Sequence, residues 1–170
     1  MSFNNIAIGK NSPESFNVVI EIPKDGKIKY EACKETGCIF VDRILKTPMN
    51  YPFNYGYIPG THADDDDPLD AIILGDHPFF PGSVIVCEPV GIMLMEDESG
   101  VDEKIVVRPK AKIDPSLTHI NDISDVPELL KSQIEYFFQR YKDLDEGKWA
   151  KTQGFKDKAE AIKIIKKYTL

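Results

Sequence analysis

Residues 82–95 read GSVIVCEPVGIMLM, an apolar run rich in Val, Ile and Met that starts at a glycine and ends where the acidic "EDES" begins. Runs rich in β-branched residues, set between Gly, Pro and Asp turns, have the character of strands. The same texture recurs on both sides, in FNVVIEIP (16–23), KIKYEAC (27–33), CIFVDRIL (38–45), DAIILG (70–75) and KIVVRPK (104–110). Several short strands this close together predict a barrel or sandwich rather than a parallel sheet with crossover helices.

The last third of the chain changes period. In DVPELLKSQIEYFFQRYKDLDEG, the apolar positions Leu130, Ile134, Phe137, Tyr141 and Leu144 step by 4, 3, 4 and 3, which is one face of a helix. Asp125 and Glu128 resemble a capping box, Pro127 suits a first turn and Gly147 fits the stop. A second helix is expected over KDKAEAIKIIKKY (156–168). The architecture implied is a small β-barrel with helices packed outside it.

The 170 residues suffice for one domain with a real core, and no internal repeat or linker divides them. The formal net charge of −7 argues against a nucleic-acid partner, although converging basic groups can still bind a small anion. The first residues, MSFNNIAIGKNSPESF, lack the basic-then-apolar pattern of a signal peptide, and no apolar run is long enough for a membrane span. A soluble, cytoplasmic protein is therefore expected. Three cysteines, Cys33, Cys38 and Cys87, are too few for a disulfide framework. Cys33 and Cys38 flank a turn and can face each other across a hairpin, but reduced structural thiols are the expected reading.

Chemistry concentrates in THADDDDPLDAI (61–72), where Asp64, Asp65, Asp66, Asp67 and Asp70 crowd together. Two such charges about 7 Å apart repel by roughly 2 kcal/mol at an effective dielectric near 20, so the crowding needs a reason. Pro68 biases Asp67 toward extended backbone. If the run is extended, Asp65 and Asp67 share one face, Asp64 and Asp66 the other, and the turn returns Asp70 to the first pair. Converging carboxylates are hard ligands suited to Mg²⁺ or Mn²⁺; the alternative is a solvated acidic turn. An EF-hand fails in either register, with Asp70 or Pro68 at forbidden positions or His77 where Glu is needed. A second acidic loop, MEDESGVDEKIVV, brackets Gly100 with Asp97 and Asp102, and Lys104 follows two residues later. Lys29 and Glu31 share a strand face, Glu21 interrupts an apolar strand, and Arg43 follows IFV. Tyr51, Tyr55, Tyr141 and Lys142 complete the candidates, with Tyr141 also fitting a core aromatic.

In order along the chain, VVIEIP, IKYE, FVDR, YPFNYGYIPGT, DDDPLD, PGSVI, DEKIVV and YKDLDEGKW resemble the family I soluble inorganic pyrophosphatases of bacterial type. DDDPLD (65–70) matches that family's D-x-D-P-x-D signature. The resemblance implies a mainly β fold with α elements, a closed five-stranded OB-like β-barrel with flanking C-terminal helices, over one domain spanning 1–170. It implies hydrolysis of pyrophosphate to two orthophosphates by a metal-activated water, without a covalent enzyme intermediate. Several Mg²⁺ ions per site are implied, with Mn²⁺ or Zn²⁺ as possible substitutes. By motif, Asp65, Asp70 and Asp102 resemble the main metal ligands, Asp97 a ligand for substrate-associated metal, and Asp67 the general base. Lys29, Arg43, Tyr55, Lys104, Tyr141 and Lys142 resemble phosphate-binding groups, and Glu21, Glu31 and Tyr51 supporting residues. Bacterial members are commonly hexamers, so a homo-oligomer is expected. Many carry histidines on the helix before the Tyr-Lys pair, where this sequence has Tyr136 and Arg140. The competing classes are an OB-like binding module without catalysis and an enzyme acting on another phosphoanhydride.

Overall fold

The computed structural model describes residues 5–33, 35–64 and 66–170. In chain order the elements are β1 (Phe16–Ile22), β2 (Ile28–Ala32), β3 (Ile39–Ile44), β4 (Asn54–Tyr57), β5 (Asp70–Ile73), β6 (Val84–Asp97), β7 (Gly100–Val101), β8 (Lys104–Pro109), α1 (Glu128–Arg140), β9 (Ala150–Lys156) and α2 (Lys158–Tyr168). The fold is mainly β, with the helices late in the chain.

β6 organises the sheet. Its first part pairs with β1, its second part with β9, and β8 runs along both. One strand serves several partners because its register with β8 shifts between Pro89 and Gly91. A bulge bends a strand and increases its twist, and it is one of the few places a sheet tolerates proline. It also exchanges the faces: Ile85 and Cys87 enter one apolar cluster, and beyond the bulge Ile92 joins that same cluster. Gly91 is required here, because a Cβ would lie 2.7 Å from the Lys156 carbonyl oxygen. Gly56 in β4 is more constrained still, with a Cβ placed 1.9 Å from the Val19 oxygen of β1. The pairings run β1–β4–β5–β8–β6, and β6 pairs again with β1. All are antiparallel except β5–β8. β2 and β3 form a separate two-stranded sheet.

The strands read as continuous apolar runs because both faces are covered. Ile72, Val106 and Met93 face a cluster that receives Ile134, Phe137 and Phe138 of α1. Ala71, Ile73, Ile105 and Val107 face the other cluster, which receives Ala161 and Ile165 of α2. Each such large apolar side chain contributes about 1.5–3 kcal/mol of burial.

The helix boundaries differ from expectation. Asp125 accepts the backbone N–H groups of Asn121 and Asp122, so it caps backward into a 3₁₀ turn at Ile123–Asp125. Pro127 therefore precedes α1 with no side-chain cap. The helix ends at Arg140, and Leu144 beyond it is 60% exposed, so the last step of the apolar stripe lies in turns. The second predicted helix is present as α2. All three cysteines are free, and the Cys33 N–H donates to the Cys38 oxygen at 2.8 Å across the β2–β3 hairpin.

Candidate active site

A cleft of about 480 Å³ opens where the β2–β3 hairpin, the ends of β6 and β8, and the residues after α1 meet. It collects candidate residues from widely separated segments. Glu21 comes from β1, Lys29 and Glu31 from β2, Arg43 from β3, Tyr51 and Tyr55 from around β4, and Asp67 and Asp70 from the acidic turn and β5. Asp97, Asp102 and Lys104 come from the β6–β8 connection, and Tyr141 and Lys142 follow α1. Every sequence candidate among the described residues lines this cleft. Asp65 lies outside the described residues.

Register explains the convergence. β5 and β8 run parallel with Asp70 opposite Lys104, and β2 places Lys29 opposite Arg43 on β3. Lys104 is 2% exposed, and its ammonium donates to both Asp70 and Asp102. Burial alone lowers its pKa, but the two carboxylates outweigh burial and raise it, so this lysine stays charged. Lys142 Nζ lies 2.7 Å from Asp97 and 3.4 Å from Glu98. Lys29 pairs with Glu31 and Asp42, and Arg43 with Asp42 at 2.8 Å.

Aromatic packing fixes the end of α1. Tyr141 stacks on Phe137 with ring centres 5.1 Å apart, and Phe137 lies 4.6 Å from Tyr51. Tyr141 thus belongs both to the apolar cluster and to the cleft wall. Burial raises the pKa of Tyr51, Tyr55 and Tyr141, and nearby Asp70 adds to the rise. These phenols remain hydrogen-bond donors at neutral pH.

The acidic run is not extended. Asp66 has φ +67°, its N–H donates to the Ala63 oxygen at 3.1 Å, and the Ala63 N–H donates to the Asp67 oxygen at 2.8 Å. The alternation argument fails because Asp66 adopts the left-handed conformation that aspartate tolerates better than most residues. The turn itself separates the carboxylates. Asp67 lines the cleft, Asp64 turns to Tyr168 and Lys167, and Asp66 to His62.

Sequence reasoning passed over Asp42, Glu98 and Lys148. Lys148 Nζ holds Glu98 at 2.8 Å, and both line the cleft. Burial works to raise the Glu98 carboxyl, but Lys148 and the backbone donors override it and bring its pKa down to about 2. The available signal was adjacency: Asp42 precedes Arg43, Glu98 follows Asp97, and Lys148 lies within YKDLDEGKW.

Among the described residues, seven carboxylic acids and five basic groups line the cleft. A small anion gains little from that balance unless cations enter. The donors are carboxylate oxygens, the chemistry that suits Mg²⁺. Among the described residues no three potential ligands are grouped to hold a metal, and lysines contact Asp70, Asp102 and Asp97. The donor set fits a hard divalent cation that displaces those contacts.

The family model for inorganic pyrophosphatase matches residues 18–169. The chain belongs to the inorganic pyrophosphatase family. Relatives include the inorganic pyrophosphatase of Aquifex pyrophilus, 47% identical over 167 residues, covering 98% of this chain and 94% of that one. The Vibrio vulnificus inorganic pyrophosphatase is 50% identical over 166 residues, covering 97% and 94%. Among solved structures, the Helicobacter pylori inorganic pyrophosphatase superposes with a TM-score of 0.94 at 44% identity, covering 97% of this chain and 96% of that one. The Thermus thermophilus inorganic pyrophosphatase gives a TM-score of 0.94 at 40% identity, covering 98% and 95%.

In this pyrophosphatase family member, Glu21 is the buried acid whose ionisation bears on stability. Burial drives its pKa from 4.5 up to about 8, opposed by the Ala32 N–H that donates to it at 2.7 Å and assisted by Asp70. Between those values the native state holds more proton than the unfolded chain, so this group's contribution is full at low pH and lost as pH rises toward 8. Glu21→Gln is expected to stabilise the metal-free protein by about 2–4 kcal/mol at pH 8 and by little at pH 4. Thermal melts in EDTA at both pH values check this; equal shifts would assign the effect to packing.

Proposed function

We propose that the protein hydrolyses inorganic pyrophosphate to two orthophosphates in a Mg²⁺-dependent reaction, with water attacking phosphorus directly and no covalent enzyme intermediate. The observation that carries this reading is the single cleft in which Asp67, Asp70, Asp97 and Asp102 face Lys29, Arg43, Lys104 and Lys142, in a chain of the inorganic pyrophosphatase family.

Asp70, Asp102 and Asp65 would hold the principal Mg²⁺ ions, and Asp97 a substrate-associated one; Mn²⁺ or Zn²⁺ would be substitutes. Bound Mg²⁺ would lower the pKa of a coordinated water and neutralise phosphate charge. Asp67 accepts the proton of the attacking water as general base. Lys29, Arg43 and Lys142 bind phosphate oxygens by charge, and Tyr55 and Tyr141 donate their hydroxyl protons to them. Lys104 lies between Asp70 and Asp102, and once cations held those carboxylates its ammonium would be available to phosphate. Glu21, Glu31 and Tyr51 position these groups.

We further infer that the pairings from β1 through β4, β5, β8 and β6 back to β1 make a closed five-stranded OB-like barrel, and that residues 1–170 form one pyrophosphatase domain. Exposed Phe40, Val41, Ile44, Leu129 and Tyr136 support assembly into a homo-oligomer, which we take to be a hexamer. Among the described residues no helix is long and apolar enough to cross a membrane, and we place the enzyme in the cytoplasm without a nucleic-acid partner.

A phosphate-release assay tests the reading. Pyrophosphate with Mg²⁺ should be turned over, EDTA should abolish the activity and ATP should be a poor substrate. Ca²⁺ should inhibit, because it is larger and accepts looser coordination than the octahedral Mg²⁺ geometry. Equal turnover with Ca²⁺ alone would sink the Mg²⁺-specific chemistry, and no turnover with any divalent cation would leave a binding module.

A further inference from the structure

The tail that follows α2 returns to the acidic turn. Thr169 bridges to Thr61, the His62 N–H donates to the Tyr168 oxygen at 2.8 Å, and the Leu170 N–H donates to the Gly60 oxygen at 3.0 Å. The Tyr168 hydroxyl donates to Asp64, and Lys167 Nζ lies 3.4 Å from the same carboxylate and 2.6 Å from the Tyr168 hydroxyl oxygen. We propose that residues 167–170 form a clasp that positions the metal-binding acidic turn, with Tyr168 as a positioning residue for Asp67 and its neighbours. This rests on the reading of those aspartates as metal-binding and catalytic groups.

The clasp grips the turn where a grip matters. Residues 62 and 64 are held from outside, by the Tyr168 carbonyl and hydroxyl. Ala63 between them holds the Asp67 oxygen at 2.8 Å. Asp67 is therefore one hydrogen bond from a fixed point. The other end of the loop is closed by Thr61, whose buried hydroxyl accepts the Leu69 N–H at 2.9 Å and donates to the Ile58 oxygen at 2.6 Å. The platform is firm, because Ala161 and Ile165 anchor α2 in the core. Asp157 caps its first turn by accepting the Glu160 N–H at 2.9 Å.

Electrostatics give the clasp its purpose. Asp64, Asp66, Asp67 and Asp70 are like charges in one short segment, and their repulsion works against the closed turn. Lys167 supplies a counter-charge from a separate element. An apo site kept near its liganded shape spends less of the cation's binding energy on ordering the loop.

Two substitutions remove single parts of the clasp. Tyr168→Phe deletes only the hydroxyl. Leu170→Pro removes the N–H that Gly60 accepts; the side chain exchanged with it is 89% exposed, and Thr169 at φ −70° and ψ 130° already has the conformation a following proline requires. In the metal-free protein, amide hydrogen exchange over residues 60–70 should quicken by about fivefold in each variant, the scale of one exposed contact, and by more in the double variant. Mn²⁺ binding followed by calorimetry should weaken by about three- to tenfold, with kcat at saturating Mg²⁺ within about twofold of wild type. Unchanged exchange in all three variants would overturn the clasp. Faster exchange with unchanged Mn²⁺ affinity would overturn the positioning role. If the wild type neither binds Mn²⁺ nor releases phosphate from pyrophosphate, the reading of the site falls, and the exchange rates alone decide whether the clasp exists.

Discussion

Asp67→Asn is expected to lower pyrophosphate turnover by about 10²–10⁴-fold, the usual range for loss of a general base, the role proposed for this residue, and to leave the melting temperature nearly unchanged. The fold should not notice the change. Asp67 is exposed, and its backbone oxygen accepts the Ala63 N–H at 2.8 Å, a contact that asparagine keeps. Asparagine has the same shape and keeps one acceptor, so substrate affinity should fall far less than kcat. Asp64→Asn and Asp66→Asn serve as controls: these carboxylates are directed to Tyr168 and His62, away from the cleft, and their loss should change kcat by less than about threefold. Steady-state kinetics on the three variants decide the point. Equal losses in all three would mean that the run acts as a diffuse negative patch.

Lys104→Met carries the largest expected change in stability. Its ammonium is buried between Asp70 and Asp102, and removing one member of a buried charged cluster typically costs about 3–5 kcal/mol. Methionine fills much of the same volume, so the loss reflects two carboxylates left without their cation. Burial already raises the Asp102 carboxyl and Lys104 opposes that rise, so without the lysine its pKa climbs further. Its protonation restores stability at low pH, and the deficit grows as pH rises. Mg²⁺ should recover part of the lost melting temperature if Asp70 and Asp102 bind it. Melts with EDTA and with Mg²⁺, at pH 5 and pH 8, separate these effects; a deficit independent of both pH and Mg²⁺ would assign Lys104 a packing role.

The parts of the fold legible in the sequence are those where both faces of a strand are buried. β5, β6 and β8 announce themselves as Val- and Ile-rich runs because apolar clusters cover each side. β9 does not, since AKTQGFK is mostly polar and becomes a strand through its pairing with the second part of β6. Asp125 misled because a capping residue can face either way, and its carboxylate turns back to Asn121 and Asp122. In the acidic run, the rule for the residue before a proline constrained Asp67 but said nothing of Asp66, which bends the chain. Spacing could relate Asp67 to Asp70, or Asp102 to Lys104, within one segment. It could not bring Arg43 and Tyr141 to the same cleft; the order of the family motifs anticipated that meeting. The ion pair between Lys148 and Glu98 joins two loops, and neither adjacency to Asp97 nor a place in YKDLDEGKW indicated that its members meet.

The close approach of β1 to β4 limits how this protein can be improved. Exchanging glycine for alanine is a standard route to a more heat-resistant enzyme, since it narrows the conformations open to the unfolded chain. At Gly56 that route is closed, because the new methyl would sit 1.9 Å from the Val19 oxygen and force the two strands apart. The strands forced apart would be those carrying Glu21 and Tyr55, so an engineer would lose site geometry along with stability. Directed evolution toward thermostability should therefore leave Gly56 unsubstituted and accumulate its changes on surfaces remote from the β1–β4 contact.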